Sequence, residues 1–290
     1  MKTSPGDFDE AASPMELLAM RASDGARSEA RLFRSQEKGA GLLVLPAMGV
    51  NARAYDRLAE ELAAAGVTTL VMEHRGGDGS SVRARPGIDY GYAELLEDMV
   101  QHLALLRSHV TGPAHLLGHS LGGQLATVGL AKWFVPGAKL IVIASGTVHH
   151  QAWGGLRGLG VLAGSQLAQV IARGLGFYPG HRLGFGGLQA RSLIVDWSNA
   201  ARTGDFTSAR DGLLEHRLDE LSPDVLAIHV QGDTMAPRAT TEALLRKVKH
   251  ARVEWVNVMP PAQPRKLNPH FRWLKDPSAA VREISRFLNQ

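Results

Sequence analysis

The sequence predicts an α/β protein, a mainly parallel central sheet with helices on both faces and one inserted cap. Three observations carry that expectation. Short apolar runs such as residues 41–46 (GLLVLP) and 139–144 (KLIVIA) are continuous, as in strands buried on both faces. They alternate with stretches of helical spacing, the pattern of strand–helix units. The alternation breaks once, between residues 146 and 187, where twelve glycines gather.

The elements follow in order. Residues 1–14 are polar and acidic and read as a flexible tail. Residues 16–21 and 28–33 flank the turn Ser23-Asp24-Gly25, and Asp-Gly between two apolar-bearing runs signals a hairpin. After the strand at 41–46, residues 53–65 have helical spacing that ends at Gly66, and 67–72 is a buried strand. Residues 93–109 form an amphipathic helix with Leu95, Met99, Leu103 and Leu106 on one face. A strand at 114–118, a helix at 121–134 and a strand at 139–144 complete the first half. Past the glycine-dense stretch the alternation resumes with a strand at 225–230, a helix at 240–250, a strand at 252–258 and a helix at 277–288. The expected core is therefore 15–148 with 211–290, and 149–210 is the insertion.

Composition narrows the function classes. Of 290 residues, 44% are hydrophobic and 21% charged, an ordinary globular balance. The chain has no cysteine, which excludes disulfides, thiolate metal sites and a cysteine nucleophile. The first residues, MKTSPGDFDEAASP, lack the apolar core of a secretion signal, and no apolar run approaches the roughly 18–20 residues of a membrane span. A cytoplasmic protein with no integral membrane segment is expected. The net charge of +4 is unevenly spread: no acidic residue lies between Asp98 and Asp196, while that stretch holds Arg107, Lys132, Lys139, Arg157, Arg173, Arg182 and Arg191. These cations are scattered and not interleaved with aromatics, which argues against nucleic-acid binding.

The sharpest chemical signal is His115-Leu116-Leu117-Gly118-His119-Ser120-Leu121-Gly122-Gly123, a G-x-S-x-G pattern between an apolar strand and a helical segment. A serine on such a strained turn projects its hydroxyl above the sheet, and small residues two before and two after let strand and helix approach. LLGHSLGGQLA resembles the nucleophile elbow of α/β-hydrolase fold serine hydrolases, which include esterases, lipases and thioesterases. The segment LLVLPAMGVNARAYDRLAEELAAAGVTTLVMEHRGGDGSS is similar to the run that precedes that elbow, and Arg75-Gly76 with Gly79-Ser80 resembles an Arg-Gly-x-Gly-x-Ser loop. The resemblance extends from about residue 28 to the end and is weakest over 149–210, where such families carry a variable cap.

A serine needs a base, and the base an orienting carboxylate. On this fold the chain order is Ser, then Asp or Glu, then His. Asp233, in Gly232-Asp233-Thr234-Met235-Ala236-Pro237, follows an apolar strand and lies on the elbow's edge of the sheet, whereas Asp224 precedes that strand. His270, in Asn268-Pro269-His270-Phe271, precedes the final helix, where this fold presents its base. His250 ends a basic helical segment, His229 lies within a strand, His119 packs beneath the serine, and His149 and His150 come too early in the chain. The oxyanion donors expected from the resemblance are the backbone N–H groups of Leu121 and, from Pro46-Ala47-Met48-Gly49, Met48. No metal or cofactor is expected, since no H-E-x-x-H or similar spacing occurs.

The insertion is expected to cover Ser120 as a mobile or tightly turning lid. Trp153, Leu156 and His149 are its candidate substrate contacts, with Leu159, Val161, Leu162, Leu167 and Val170 as further acyl-pocket candidates. Asp196-Trp197 is expected to open the return to the core. Arg157, Arg173 and Arg182 suggest a positive rim for a small acyl substrate with an anionic group. The expected reaction is ester hydrolysis through an acyl-Ser120, with thioester hydrolysis or acyl transfer as the same-site alternative. A non-catalytic binding module on the same fold is the alternative of another class. The oligomeric state is left open.

Overall fold

A computed structural model of the chain describes residues 15–36, 39–262 and 267–290. The tail expected at 1–14 lies outside the described residues.

The sheet has eight strands: β1 (Met15–Arg21), β2 (Arg27–Phe33), β3 (Gly41–Leu45), β4 (Thr68–Val71), β5 (Ala114–His119), β6 (Lys139–Ile143), β7 (Asp224–Val230) and β8 (Arg252–Val258). Their spatial order is β1-β2-β4-β3-β5-β6-β7-β8. The β1–β2 hairpin joins β4 antiparallel, and every other pair is parallel. Successive side chains of a strand serve opposite faces. In β3, Leu42 and Val44 enter one apolar layer, with Leu58 and Leu62 of α1 (Asp56–Ala64) and Ile284 and Phe287 of α7 (Ser278–Leu288). Leu43 and Leu45 enter the other, with Leu95 and Met99 of α2 (Tyr92–Arg107), Leu125 of α3 (Leu121–Val128) and Leu244 of α6 (Arg238–Leu245).

The helix expected over 121–134 is broken at Gly129, followed by a short helix at Leu130–Trp133. A Cβ at Gly129 would sit 2.7 Å from Met99 Cε, so α2 and α3 cross where the side chain is missing.

Parallel pairing aligns Leu45 with Gly118, His119 with Ile143 and Ile143 with Ile228. The loops after β3, β5, β6 and β7 therefore leave the sheet along one edge, where a site forms in such folds.

Between β6 and β7 the chain makes its long excursion, which carries α4 (Gly155–Leu175) and α5 (Arg191–Thr203). The middle of the glycine-dense stretch, expected to turn or move, is thus a 21-residue helix, while Gly154, Gly176, Gly184, Gly186 and Gly187 take positive φ in the turns around it. Its small residues are what let α5 approach: Ala168 and Ala172 pack with Ile194, and Ser198 Oγ donates to the carbonyl of Ser165 at 2.7 Å. Gly176, with φ +79°, ends the helix in the left-handed conformation. Asp196 and Trp197 lie within α5 and do not open a return segment, because the helix runs on to Thr203. This helix is tied to α2 at both starts. Asp89 Oδ1 accepts from Ser192 N–H at 2.8 Å, and Asp196 Oδ2 accepts from Tyr92 N–H at 3.0 Å.

Candidate active site

Ser120 sits between β5 and α3 with φ +53° and ψ −116°, a strained conformation for a side-chain-bearing residue. Its neighbours explain why the turn tolerates it. A Cβ on Gly118 would overlap Gly122 and Gly123, one on Gly122 would overlap the Leu45 carbonyl, and one on Gly123 would overlap Ser145 Oγ. Ser145 Oγ donates to the Ser120 carbonyl at 2.7 Å, which fixes the turn from β6.

Asp233 and His270 meet at the same edge, 37 residues apart in sequence. The Nδ1–H of His270 donates to Asp233 Oδ2 at 2.8 Å, and both side chains are buried. The other carboxylate oxygen accepts from the N–H groups of Met235 and Ala236 at 2.7 and 3.1 Å, so the carboxylate is held from two sides. Asn268 Oδ1 accepts from His270 N–H at 3.0 Å and fixes the backbone beneath the ring. His270 Nε2 is buried and has no hydrogen-bond partner among the described residues. With the proton on Nδ1, that nitrogen carries the free lone pair.

Beneath the site a chain of buried hydrogen bonds joins three loops. His119 Nε2 lies 2.9 Å from the carbonyl of His270, which can only accept, so the His119 proton is on Nε2. His119 Nδ1 therefore accepts from the Tyr55 hydroxyl at 2.8 Å, and the Tyr55 oxygen accepts from Ala47 N–H at 2.8 Å. Burial, and then the charge His270 can acquire, push His119 well below the usual histidine range, which keeps it neutral. Burial pushes the Tyr55 hydroxyl well above the usual tyrosine range. A second buried histidine, His74, donates from Nε2 to the Pro46 carbonyl at 2.9 Å. The peptide bond between Pro46 and Ala47, in the loop that follows β3, is thus held at both its carbonyl and its N–H.

A cavity of about 690 Å³ opens above Ser120. Ser120, Leu121, Met48 and Ala47 line its floor, and Thr234, Met235, Asn268 and Phe271 line one flank. The excursion supplies the opposite wall through Trp153, Gly160, Val161, Gly164, Ser165, Ala168, Phe185 and Trp197. Among the described residues no charged side chain lines the cavity.

This corrects three expectations. Leu156 is exposed on the outer side of α4 and cannot touch a ligand in the cavity. His149 stands off the cavity, its ring packed over Gly204 at the end of α5. Arg157, Arg173 and Arg182 form no rim to the cavity, since all three are exposed and absent from its lining. Trp153 and Val161 do line it, whereas Leu159, Leu167 and Val170 face solvent. Sequence reasoning missed Phe271, Trp197 and Ser165 as lining residues and the Tyr55–His119 link. Only the adjacency of Phe271 to His270 could have flagged one of them. Among the described residues no group of three or more His, Asp or Glu side chains is arranged to hold a metal ion.

A protein-family model described as serine aminopeptidase, S33, matches residues 36–180, half of the chain. The chain belongs to this family of α/β hydrolases. The hydrolase also resembles many solved structures in fold. One is a hydrolase from Pseudomonas aeruginosa, with 21% identity and TM-score 0.55 over 96% of this chain and 100% of that one. An esterase from Exiguobacterium antarcticum shares 17% identity, with TM-score 0.58 over 94% and 99% of the two chains. An esterase from Rhodococcus sp. shares 17% identity, with TM-score 0.57 over 96% and 99%. No curated protein sequence matches the hydrolase.

Proposed function

We propose that the hydrolase is a serine esterase that cleaves an acyl bond through a covalent acyl-Ser120. The observation that carries this reading is the buried 2.8 Å hydrogen bond from His270 Nδ1–H to Asp233 Oδ2, with His270 Nε2 left unpartnered. That is the arrangement a general base requires.

In the first step Ser120 Oγ attacks the substrate carbonyl carbon while His270 Nε2 takes its proton. The charge that develops on the carbonyl oxygen is met by the backbone N–H groups of Leu121 and Met48, both cavity-floor residues. Asp233 holds the ring and balances the imidazolium. His270 then returns the proton to the leaving oxygen as the acyl bond breaks. In the second step a water attacks the acyl-serine, His270 takes the water proton, and Ser120 leaves with it. The excursion serves as a cap that keeps bulk water from the acyl group.

The lining supports an uncharged, apolar acyl group. Val148, Val161, Ala168, Phe185, Met235 and Phe271 offer contact area, and among the described residues no guanidinium or ammonium lines the cavity.

Labelling with a fluorophosphonate probe tests the reading. Wild type should label, and Ser120→Ala and His270→Ala should not. A folded wild type that fails to label, and hydrolyses no ester across a series of chain lengths, would sink it in favour of a non-catalytic binding module.

A further inference from the structure

The Met48 oxyanion donor is the N–H of the peptide that joins it to Ala47, and the two sides of that peptide are held by different parts of the molecule. On the core side the preceding peptide is fixed by Tyr55 and His74. On the far side the cap takes over. The Met48 side chain packs against the cap's own apolar cluster of Ala168, Ala172, Tyr178 and Ile194. Val50 N–H donates to the Ala47 carbonyl at 3.1 Å, which closes a four-residue turn with Gly49 at its third position. Gly49 has φ +71°, the conformation such a turn asks of a glycine. Over it lies the Gly186–Gly187 peptide of the cap: a Cβ on Gly49 would stand 2.6 Å from the Gly186 carbonyl oxygen. Backbone meets backbone there, so the position of that peptide limits how the turn can lie.

One side chain fixes the peptide. Gln189 Nε2 donates to the Gly186 carbonyl at 2.6 Å, and Gln189 is buried. A carbonyl can only accept, so the amide has its nitrogen on that side. Gln189 is itself anchored in the cap, in the short antiparallel ladder of Phe177–Pro179 with Leu188–Ala190, which joins the end of α4 to the start of α5. It does not line the cavity above Ser120, so any effect it has on catalysis passes through the loop. A second cavity of about 70 Å³, lined by Met48, Gly49, Glu73, Gly77 and Gln189 among others, gives that loop room to shift once the cap contact is lost. We infer that Gln189 is a positioning residue for the oxyanion hole: through the Gly186 carbonyl it clamps the Met48–Gly49 turn, so the Met48 N–H is aimed at the developing oxyanion only while the cap is seated. This rests on the esterase reading and extends it, since the cap then takes part in stabilising charge besides covering the acyl group.

Steady-state hydrolysis of p-nitrophenyl butyrate and inhibition by an alkyl trifluoromethyl ketone test it together. The ketone mimics the first step: Ser120 Oγ bonds to its carbonyl carbon, the π pair becomes the oxyanion, and the serine proton passes to His270. Gln189→Met keeps the length of the side chain and removes the donor. Per active site, counted by fluorophosphonate labelling to completion, kcat should fall about tenfold with KM unchanged, short of the roughly 100-fold or more for a donor lost outright. The Ki of the ketone should rise by the same factor. Gly187→Ala, whose Cβ would stand 3.1 Å from Gly49 Cα, presses on the same turn and should give the same pair of changes. Gln166→Met removes a different tie inside the cap, the 2.9 Å bond from Gln166 Nε2 to the Ser198 carbonyl. It should lower the thermal midpoint while kcat and Ki stay at wild-type values. An active, labelled wild type whose Gln189→Met and Gly187→Ala variants keep kcat and Ki would overturn the inference and leave the esterase reading standing. A loss matched by Gln166→Met would overturn it too, because cap stability alone would then be at work. A wild type that neither labels nor hydrolyses esters would overturn both.

Discussion

At the scale of single residues, His119 shows how much a neutral side chain can organise. It accepts from Tyr55 and donates to the His270 carbonyl, so loops following β3, β5 and β8 share one buried network. Tyr55→Phe keeps the ring and removes the bridge. It leaves the buried Ala47 N–H and His119 Nδ1 unpaired, a cost of about 1–3 kcal/mol for each buried group. If the network holds the oxyanion loop in register, kcat for an ester should fall about tenfold, equivalent to about 1.4 kcal/mol, while KM stays unchanged. A lower thermal midpoint with full kcat in the folded protein would mean that Tyr55 only packs. Ser120, Asp233 and His270 were legible at this scale because each stands in a short local pattern. Tyr55 was not, because its partners lie 8 and 64 residues away and nothing in the surrounding sequence marks it.

At the scale of elements, α2 and α5 exchange end contacts. Burial pushes the Asp196 carboxyl up to about 7, the Tyr92 N–H pulls the other way, and the charges of Glu94 and Asp89 add to the rise. The folded chain then holds a proton on Asp196 that the unfolded chain releases above about pH 4. Stability from this group is full at low pH, declines from about pH 4 to about pH 7, and is flat above. Asp196→Asn keeps an acceptor for Tyr92 N–H and removes the titration. Between about pH 5 and about pH 8 the thermal midpoint of wild type should therefore fall relative to that of the variant, and parallel midpoints would contradict the assignment. The sheet strands were readable from continuous apolar runs, since burial on both faces dictates that composition. The long helix α4 was not. Five glycines within its 21 residues argue against a helix locally, and only packing of its small residues on α5 decides the matter. Leu156 failed as a cap contact for the same reason, since without the helix its faces could not be assigned, whereas Trp153 and Val161 do line the cavity.

At the scale of the whole molecule, polarity is sorted by surface. Among the described residues the cavity lining is uncharged, while Arg157, Arg173 and Arg182 stand on the outside. Charge counted along the chain could reveal the asymmetry but not its direction, because only the path of the excursion over the sheet edge tells inside from outside. The order β1-β2-β4-β3-β5-β6-β7-β8 brings Ser120, Asp233 and His270 to one edge from loops far apart in the chain.

Gly160 and Gly164 line the cavity, and a Cβ built on either meets no atom within 4 Å. Each is therefore a graduation on a ruler. An added Cβ would enter open space at the cavity wall, and replacing a helical glycine by a better helix former stabilises by up to about 1 kcal/mol. Gly164→Leu should thus raise the thermal midpoint and, at the same time, shorten the longest p-nitrophenyl ester turned over, leaving the acetate untouched. An unshifted chain-length profile would mean that the acyl group lies elsewhere. In most enzymes a change of specificity is taken out of stability, but along this wall selectivity and robustness can be dialled up together.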